Sequence, residues 1–179
     1  MTEHKEKKIC EEAVLAIAEG NQEALSVIYD SMARILFSVA YAVTGNTADA
    51  EDVLQDTMIG IVQGAHSYQR GTNARAWILS IARNRAINLV KRRRVTVPLE
   101  EVTHLTVPPE GMVEDLAFAE LLSPLSEDER QMVLLRLHWE LPYREIARIL
   151  GIGVPAAQKR FQRALKKLKT TYLQKEDTK

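Results

Sequence analysis

The chain has 179 residues, which gives room for one ordinary domain or two small ones but not for a large enzyme. It is 46% hydrophobic and 27% charged, a composition typical of a soluble protein with a core. No apolar run approaches the roughly 18 residues that cross a bilayer, and the charged start is unlike a secretory signal. The single cysteine, Cys10, excludes an internal disulfide. We therefore expect a cytoplasmic protein without membrane insertion, bound metal or cofactor.

Charge is segregated along the chain, although the formal net charge is zero. No Asp or Glu lies in residues 57–99 or 146–175, where Lys and Arg cluster. The acids are concentrated instead in residues 49–56 and 100–129. Two basic blocks on a neutral protein indicate two contacts with a polyanion such as nucleic acid. The alternative is that each block is only a solvated helix face.

The first half of the chain has the apolar spacing of helices. The predicted helices span residues 11–44 with a break at Gly20, then 47–64, then about 74–93. Thr47 or Asp49 is expected to cap the second of these, with acids in its first turn. A polar loop, residues 67–73, precedes the third.

The second half begins with a stretch that has no helical period. Three prolines and a glycine in residues 95–112 predict a flexible linker. Ser126 and Glu129 then form a capping-box pattern before an apolar run. No strand is predicted, so we expect an all-α protein of two small helical domains, residues 1–94 and 113–179, joined by that linker.

Residues 143–154 carry the strongest local pattern, a short helix, a glycine turn at Gly151 and the start of a second helix. These are the parts of a helix-turn-helix, with Ala147 as the small residue at the helix crossing. The apolar positions of the second helix fall on one face: Val154, Ala157, Phe161, Ala164, Leu165 and Leu168. Its outward side chains, which suit a major groove, are Lys159, Gln162, Arg163 and Lys166. We favour DNA binding over a helical hairpin with a basic surface.

The helix predicted over residues 74–93 is a second candidate for DNA binding. Asn84, Asn88 and Lys91 lie on one face with Arg83 beside them, a combination that suits base edges and phosphates. The loop before the helix mixes aromatic and basic side chains, as a site for unpaired bases requires. Trp77 is expected in the core.

The motifs together resemble a known family. Asp49-Ala-Glu-Asp-Val-Leu-Gln-Asp-Thr, followed by Arg75-Ala-Trp-Ile-Leu-Ser-Ile-Ala-Arg-Asn and an Arg-rich helix end, is similar to region 2 of bacterial sigma factors. Leu125-Ser-Glu-Asp-Glu-Arg-Gln, Tyr143-Arg-Glu-Ile-Ala and Leu150-Gly-Ile resemble region 4. The short linker is similar to the extracytoplasmic-function (ECF) subfamily, and the resemblance covers residues 22–169.

The resemblance implies a dissociable initiation subunit of RNA polymerase with three functional surfaces. Docking on the β′ clamp helices is implied for Asp49, Glu51, Asp52, Leu54, Gln55 and Asp56. Recognition of the −10 promoter element is implied for Tyr68, Arg70, Asn73, Arg75, Arg83, Asn84, Asn88, Lys91 and Arg92. Recognition of the −35 element, next to the β flap, is implied for Gln158, Lys159, Gln162, Arg163 and Lys166. An anti-sigma factor is an expected further partner.

The second helix of the helix-turn-helix departs from the family pattern. Gly153 takes the place of a Ser cap, and Ala156 and Gln158 remove a hydroxyl and a cation from the DNA-facing side. Two other interpretations stay open: a stand-alone helix-turn-helix regulator, and a sigma-like adaptor that binds polymerase without reading promoters. No combination of residues points to an enzyme.

Overall fold

Helices account for every regular element in residues 2–96 and 113–176, the part of the chain that this computed structural model describes. The α-helices are α1 (Thr2–Ala18), α2 (Ala24–Thr44), α3 (Thr47–Gly64), α4 (Ala74–Thr96), α5 (Val113–Leu121), α6 (Glu127–Val133), α7 (Tyr143–Leu150) and α8 (Val154–Glu176). The all-α prediction is confirmed. The chain divides into two units, Met1–Val107 and Pro108–Lys179; the predicted linker lies mostly in residues 97–112, outside the described ranges.

α2 is the central helix of the first unit. It packs against α1, α3 and α4, and its buried positions lie around most of its circumference. Its apolar 18-residue window has a mean hydropathy of 1.3, so the expectation that no run is long and apolar enough to cross a membrane is wrong for this helix. Because 56% of that window is buried in the unit, the core accounts for its composition.

α1 begins nine residues earlier than the sequence indicated, because its apolar period starts only at Cys10. Cys10, Ala13, Val14 and Ile17 are buried at the spacing of one helical face. The turn before that face consists of Lys and Glu, which are good helix formers.

The cap of α3 differs from the prediction. Asn46, in an extended conformation, is the N-cap residue, and its Oδ1 accepts a hydrogen bond from the Asp49 N–H at 2.8 Å. Thr47 and Asp49 are already helical, so neither is the cap. Gly45, at a φ of 75°, ends α2 in the left-handed conformation that glycine adopts without strain.

The second unit is built around the packing of α6 and α7 on α8. The capping box of Ser126 and Glu129 is confirmed at the start of α6. The apolar run after it does not stay α-helical, because Leu134–His138 form a π-helical turn in which the Trp139 N–H donates to the Leu134 carbonyl at 3.2 Å. Near the C-terminal end of α8, the Tyr172 hydroxyl donates to the Leu121 carbonyl at 2.6 Å.

Candidate nucleic-acid interface

The exposed side of α4 holds most of the side chains that the sequence singled out there. Asn84, Asn88 and Lys91 are exposed at helical positions i, i+4 and i+7, which places them in one row. Arg92 is exposed beside the row and Arg83 is half-buried. Two amides and an ammonium in a row can donate to base edges and phosphate oxygens together.

Two further arginines of α4 pair with acids of α3. Arg93 forms an ion pair with Asp49, whose carboxylate is 2% exposed, and Arg85 Nη1 lies 3.8 Å from Asp56 Oδ2. Gly60 makes the second pair possible, since a Cβ there would lie 2.5 Å from Arg85 Nη2. The ion pairs therefore separate cations that hold the unit together from Lys91, which makes no ion pair with a described residue.

The loop before α4 positions its predicted DNA contacts unequally. Arg70 is exposed at the tip. Tyr68 is 9% exposed, and its ring packs on Trp77 with the centroids 5.4 Å apart. Burial raises the pKa of Tyr68 above 10.0. Asn73 is half-buried, and its Oδ1 accepts from the Ala76 N–H at 3.0 Å at the start of α4.

The structure does not support a direct DNA contact by Arg75. This side chain is 7% exposed, so its guanidinium is held among protein atoms. The sequence places Arg75 at the start of an amphipathic helix, and a charged side chain there is expected to be exposed to solvent. Trp77, which was expected in the core, is half-buried, and its ring lies over Gly64.

The acidic helix α3 also splits into buried and exposed residues. Asp49 and Leu54 are buried, so they do not belong to an accessible docking surface. Asp49 instead accepts a hydrogen bond from the Asn46 side-chain amide, donates its own N–H to Asn46 Oδ1, and pairs with Arg93. Glu51 is half-buried, and three of the predicted docking residues are exposed: Asp52, Gln55 and Asp56.

Ile59 is a residue of this surface that the sequence analysis missed. Its side chain is 53% exposed and lies on the same helical face as Asp52, seven residues before it. An exposed β-branched side chain next to acids is typical of surfaces that contact a protein partner. The spacing from Asp52 was visible in the sequence, but Ile59 was not considered because apolar residues in an amphipathic helix are normally buried.

The helix-turn-helix forms as predicted, with α7 ending at Gly151 in the left-handed conformation (φ 65°) and α8 following. Ile146, Ala147 and Leu150 are buried at the crossing. The five predicted DNA-facing side chains are all exposed: Gln158, Lys159, Gln162, Arg163 and Lys166. Leu165, predicted on the buried face, is 38% exposed, because no described helix fully covers that part of α8.

Two other cations of α8 are directed to α6. Arg160 Nη1 lies 3.1 Å from Asp128 Oδ2, and Lys167 Nζ lies 3.3 Å from Glu129 Oε2. These pairs fix α8 on α6 and leave Lys159, Arg163 and Lys166 on a separate solvent-facing side. The helix therefore has basic side chains that pair with acids of α6 and others that are exposed to solvent.

The second unit also contains a histidine that is explained by packing. His138 Nε2 lies 2.6 Å from Asp115 Oδ1, and the ring stacks on Phe118 at 4.9 Å. Within the described ranges, no group of three or more His, Cys, Asp or Glu side chains could hold a metal ion.

Comparison with known proteins assigns this architecture. Residues 28–96 match the family model described as Sigma-70 region 2, and residues 115–168 match Sigma-70, region 4. The ECF RNA polymerase sigma factor EcfG of Rhodopseudomonas palustris is 30% identical over 139 residues, covering 74% of this chain and 76% of that protein. The ECF sigma factor SigL of Mycobacterium tuberculosis is 26% identical over 168 residues, covering 88% and 94%.

Two solved structures are similar in fold. CnrH in complex with the cytosolic domain of CnrY superposes with a TM-score of 0.72 at 22% identity, covering 92% of this chain and 97% of that chain. The sigma factor RpoE in complex with the anti-sigma factor NepR from Bartonella quintana gives 0.61 at 27% identity, covering 76% and 88%. A stand-alone regulator is not favoured, since both sigma regions are present in order. The chain belongs to the ECF subfamily of the sigma-70 family, whose members bind core RNA polymerase and direct transcription initiation at promoters.

Proposed function

We propose that two exposed faces of this sigma factor hold promoter DNA. The −10 element lies on the face of α4 that carries Asn84, Asn88 and Lys91, with Arg83, Arg92 and the loop residue Arg70 at its borders. The −35 element lies on the face of α8 that carries Gln158, Lys159, Gln162, Arg163 and Lys166. With domain limits of 1–94 and 113–179, the first domain would hold the −10 element and the second domain the −35 element.

The observation that carries the proposal is the separation of cations by ion pairing. Arg85 and Arg93 in α4, and Arg160 and Lys167 in α8, are held by acids of their own unit. The cations Lys91 on α4 and Lys159, Arg163 and Lys166 on α8 are exposed and lie beside amide side chains. Such a face can neutralise phosphates and donate to bases.

The exposed face of α3 is the proposed docking surface for core RNA polymerase. It presents Asp52, Gln55 and Asp56 in the turns before Ile59. An apolar side chain next to acids suits a basic, partly apolar partner surface, and by family analogy this surface is the β′ clamp helices. The second unit would contact the β flap.

An anti-sigma factor is a further proposed partner, supported by the NepR-bound neighbour at 27% identity. The sigma factor would act in the cytoplasm, where RNA polymerase works. The protein would catalyse no reaction itself, and the proposed role requires no metal or cofactor.

The test is transcription from a library of random upstream sequences with bacterial core polymerase, alone and with the protein added. The proposal expects new, discrete start sites that share two upstream elements. A variant with Asn84, Asn88 and Lys91 all replaced by alanine should lose the −10 preference while it still binds core polymerase. Start sites without a shared −10 element, or an unchanged preference in the variant, would assign the DNA face elsewhere.

A further inference from the structure

The loop that precedes α4 is fastened to a helix outside the matched region 2. The Gly71 N–H donates to the Glu11 Oε1 of α1 at 2.6 Å, a contact between residues 60 positions apart in the chain. Glu11 lies before residues 28–96, so the family match assigns it no role. Hydrogen bonds this short with a carboxylate acceptor are among the stronger ones in proteins.

α1 is a rigid support for this contact. Cys10, next to Glu11, is 1% exposed, and its Sγ lies 3.4 Å from the Met32 Sδ of α2. Val14 and Ile17 bury the same face of α1 in the core. Glu11 itself is half-buried at the edge of that face, so its carboxylate is held in place on the side of the loop.

The loop has few other constraints near its tip. Gly71 has a φ of 80°, and a Cβ there would meet nothing within 4 Å. The Thr72 hydroxyl donates to the Gln69 carbonyl within the loop itself, at 2.6 Å. Tyr68 is near enough for the Glu11 carboxylate to contribute, after burial, to the raised pKa of Tyr68. The hydrogen bond from Gly71 to the Glu11 carboxylate joins the tip of the loop to α1.

We propose that Glu11 is a positioning residue, which holds the loop of residues 68–73 in the conformation that receives the unpaired −10 strand. This inference rests on the proposed function of the loop. A loop that samples other conformations binds more weakly in proportion to the fraction that is competent. Loss of the carboxylate acceptor should therefore weaken strand binding without changing any group that touches DNA.

Electrostatics and the loop contact predict opposite changes in DNA affinity when Glu11 is replaced. Removing a negative charge close to a polyanion should by itself tighten DNA binding. Loss of the loop contact has the opposite effect. Glu12 offers a matched control. It is exposed on the same helix, where it pairs with Lys8 at 3.7 Å, and Glu12→Ala removes the same charge one residue away.

The experiment uses reconstituted holoenzyme and a fluorescent non-template oligonucleotide that carries the −10 element selected in the transcription library. Glu11→Ala should weaken oligonucleotide binding about tenfold, the order expected for one charge-assisted hydrogen bond. Glu11→Gln keeps an oxygen acceptor and should restore binding to within about threefold. Glu12→Ala should bind as the parent protein does, or slightly more tightly. The affinity for core polymerase should be the same for all four proteins.

A measurement without DNA separates this proposal from the proposed function. The Gly71 amide should be protected from hydrogen exchange in the parent protein and in Glu11→Gln, and should exchange faster in Glu11→Ala. An unprotected Gly71 amide in the parent would overturn the contact. Parent holoenzyme that fails to prefer the −10 strand would instead overturn the loop's proposed function, and the positioning role with it, even if Gly71 were protected.

Other outcomes also decide the matter. Glu11→Ala binding as tightly as the parent would refute the positioning role. Equal losses of strand binding, core binding and melting temperature would show that Glu11 only stabilises the fold. Gly71→Ala gives a second approach from the loop side, because alanine is strained at this φ. It should reproduce the binding defect of Glu11→Ala, and normal binding by Gly71→Ala would contradict the requirement for a fixed loop.

Discussion

Lys91 and Arg93 are two cations of α4 for which the structure predicts different effects of replacement by alanine, on DNA binding for Lys91 and on stability for Arg93. At 100° per residue they project about 160° apart. Lys91 is exposed and makes no ion pair with a described residue, whereas Arg93 pairs with the buried carboxylate of Asp49. Sequence alone places both residues in one basic run and does not show that Arg93 pairs with a buried acid.

The magnitudes follow from these environments. Lys91→Ala should change the free energy of unfolding by less than about 0.5 kcal/mol, as is usual for surface positions. It should reduce the slope of log Kobs against log salt for promoter binding by about 0.9, if the ammonium contacts one phosphate. Arg93→Ala should cost about 1–2 kcal/mol of stability, because a buried carboxylate loses its partner. The low end applies because Arg93 itself is 56% exposed.

The assays are urea unfolding of the full chain and promoter binding by holoenzyme at several salt concentrations. Between 50 and 200 mM salt, one lost phosphate contact makes the affinity of the variant fall about 3.5-fold less than that of the parent. The reasoning is refuted if Lys91→Ala destabilises the chain as much as Arg93→Ala does. An unchanged salt slope in Lys91→Ala would refute the DNA face.

Three further predictions concern other surfaces. Asp52→Arg should weaken binding to core polymerase, measured by fluorescence anisotropy, while the unfolding midpoint stays unchanged because Asp52 is exposed; intact binding would contradict the docking role. Arg163→Ala should weaken −35 binding in footprinting and preserve stability, whereas Arg160→Ala should mainly lower stability through loss of its pair with Asp128. The Ser126 N–H hydrogen bond lowers the pKa of Glu129 below 4.5, so its ionised form should stabilise the chain above about pH 4.5 and lose this effect as the pH falls further. Glu129→Gln should accordingly be less stable than the parent in urea at pH 7, and this difference should narrow as the pH falls below 4.5; a difference that does not narrow would contradict the linkage.

Local sequence rules predicted the helices well and their surroundings less well. The capping box at Ser126 and the stop at Gly151 depend on residues within one turn, so the sequence contains all the information needed. The burial of Asp49 depends on Arg93, which is 44 positions away, and no local period reveals that pair. The exposure of Leu165 was missed for a similar reason, since an apolar side chain is buried only where a neighbouring helix covers it.

The candidate site was subject to the same limit. Spacing along α8 correctly placed Lys159 and Arg163 on the exposed side, because one long helix with a single packed face obeys its period. The loop of residues 68–73 has no period. Its contact with Glu11 joins distant parts of the chain, and only the folded structure brings them together.

The ion pairs also change what the segregated charge of the sequence means. Asp49 and Asp56 in the acidic block are held by Arg93 and Arg85 of the basic block, so the alternation of charge is partly an internal match between α3 and α4. What remains for a protein partner on α3 is fewer charges and an exposed Ile59. What remains on α4 is a row of two amides with the exposed ammonium of Lys91. Polymerase docking through α3 should therefore depend more on apolar contact, and DNA binding through α4 more on charge, than a count of residues along the sequence indicates.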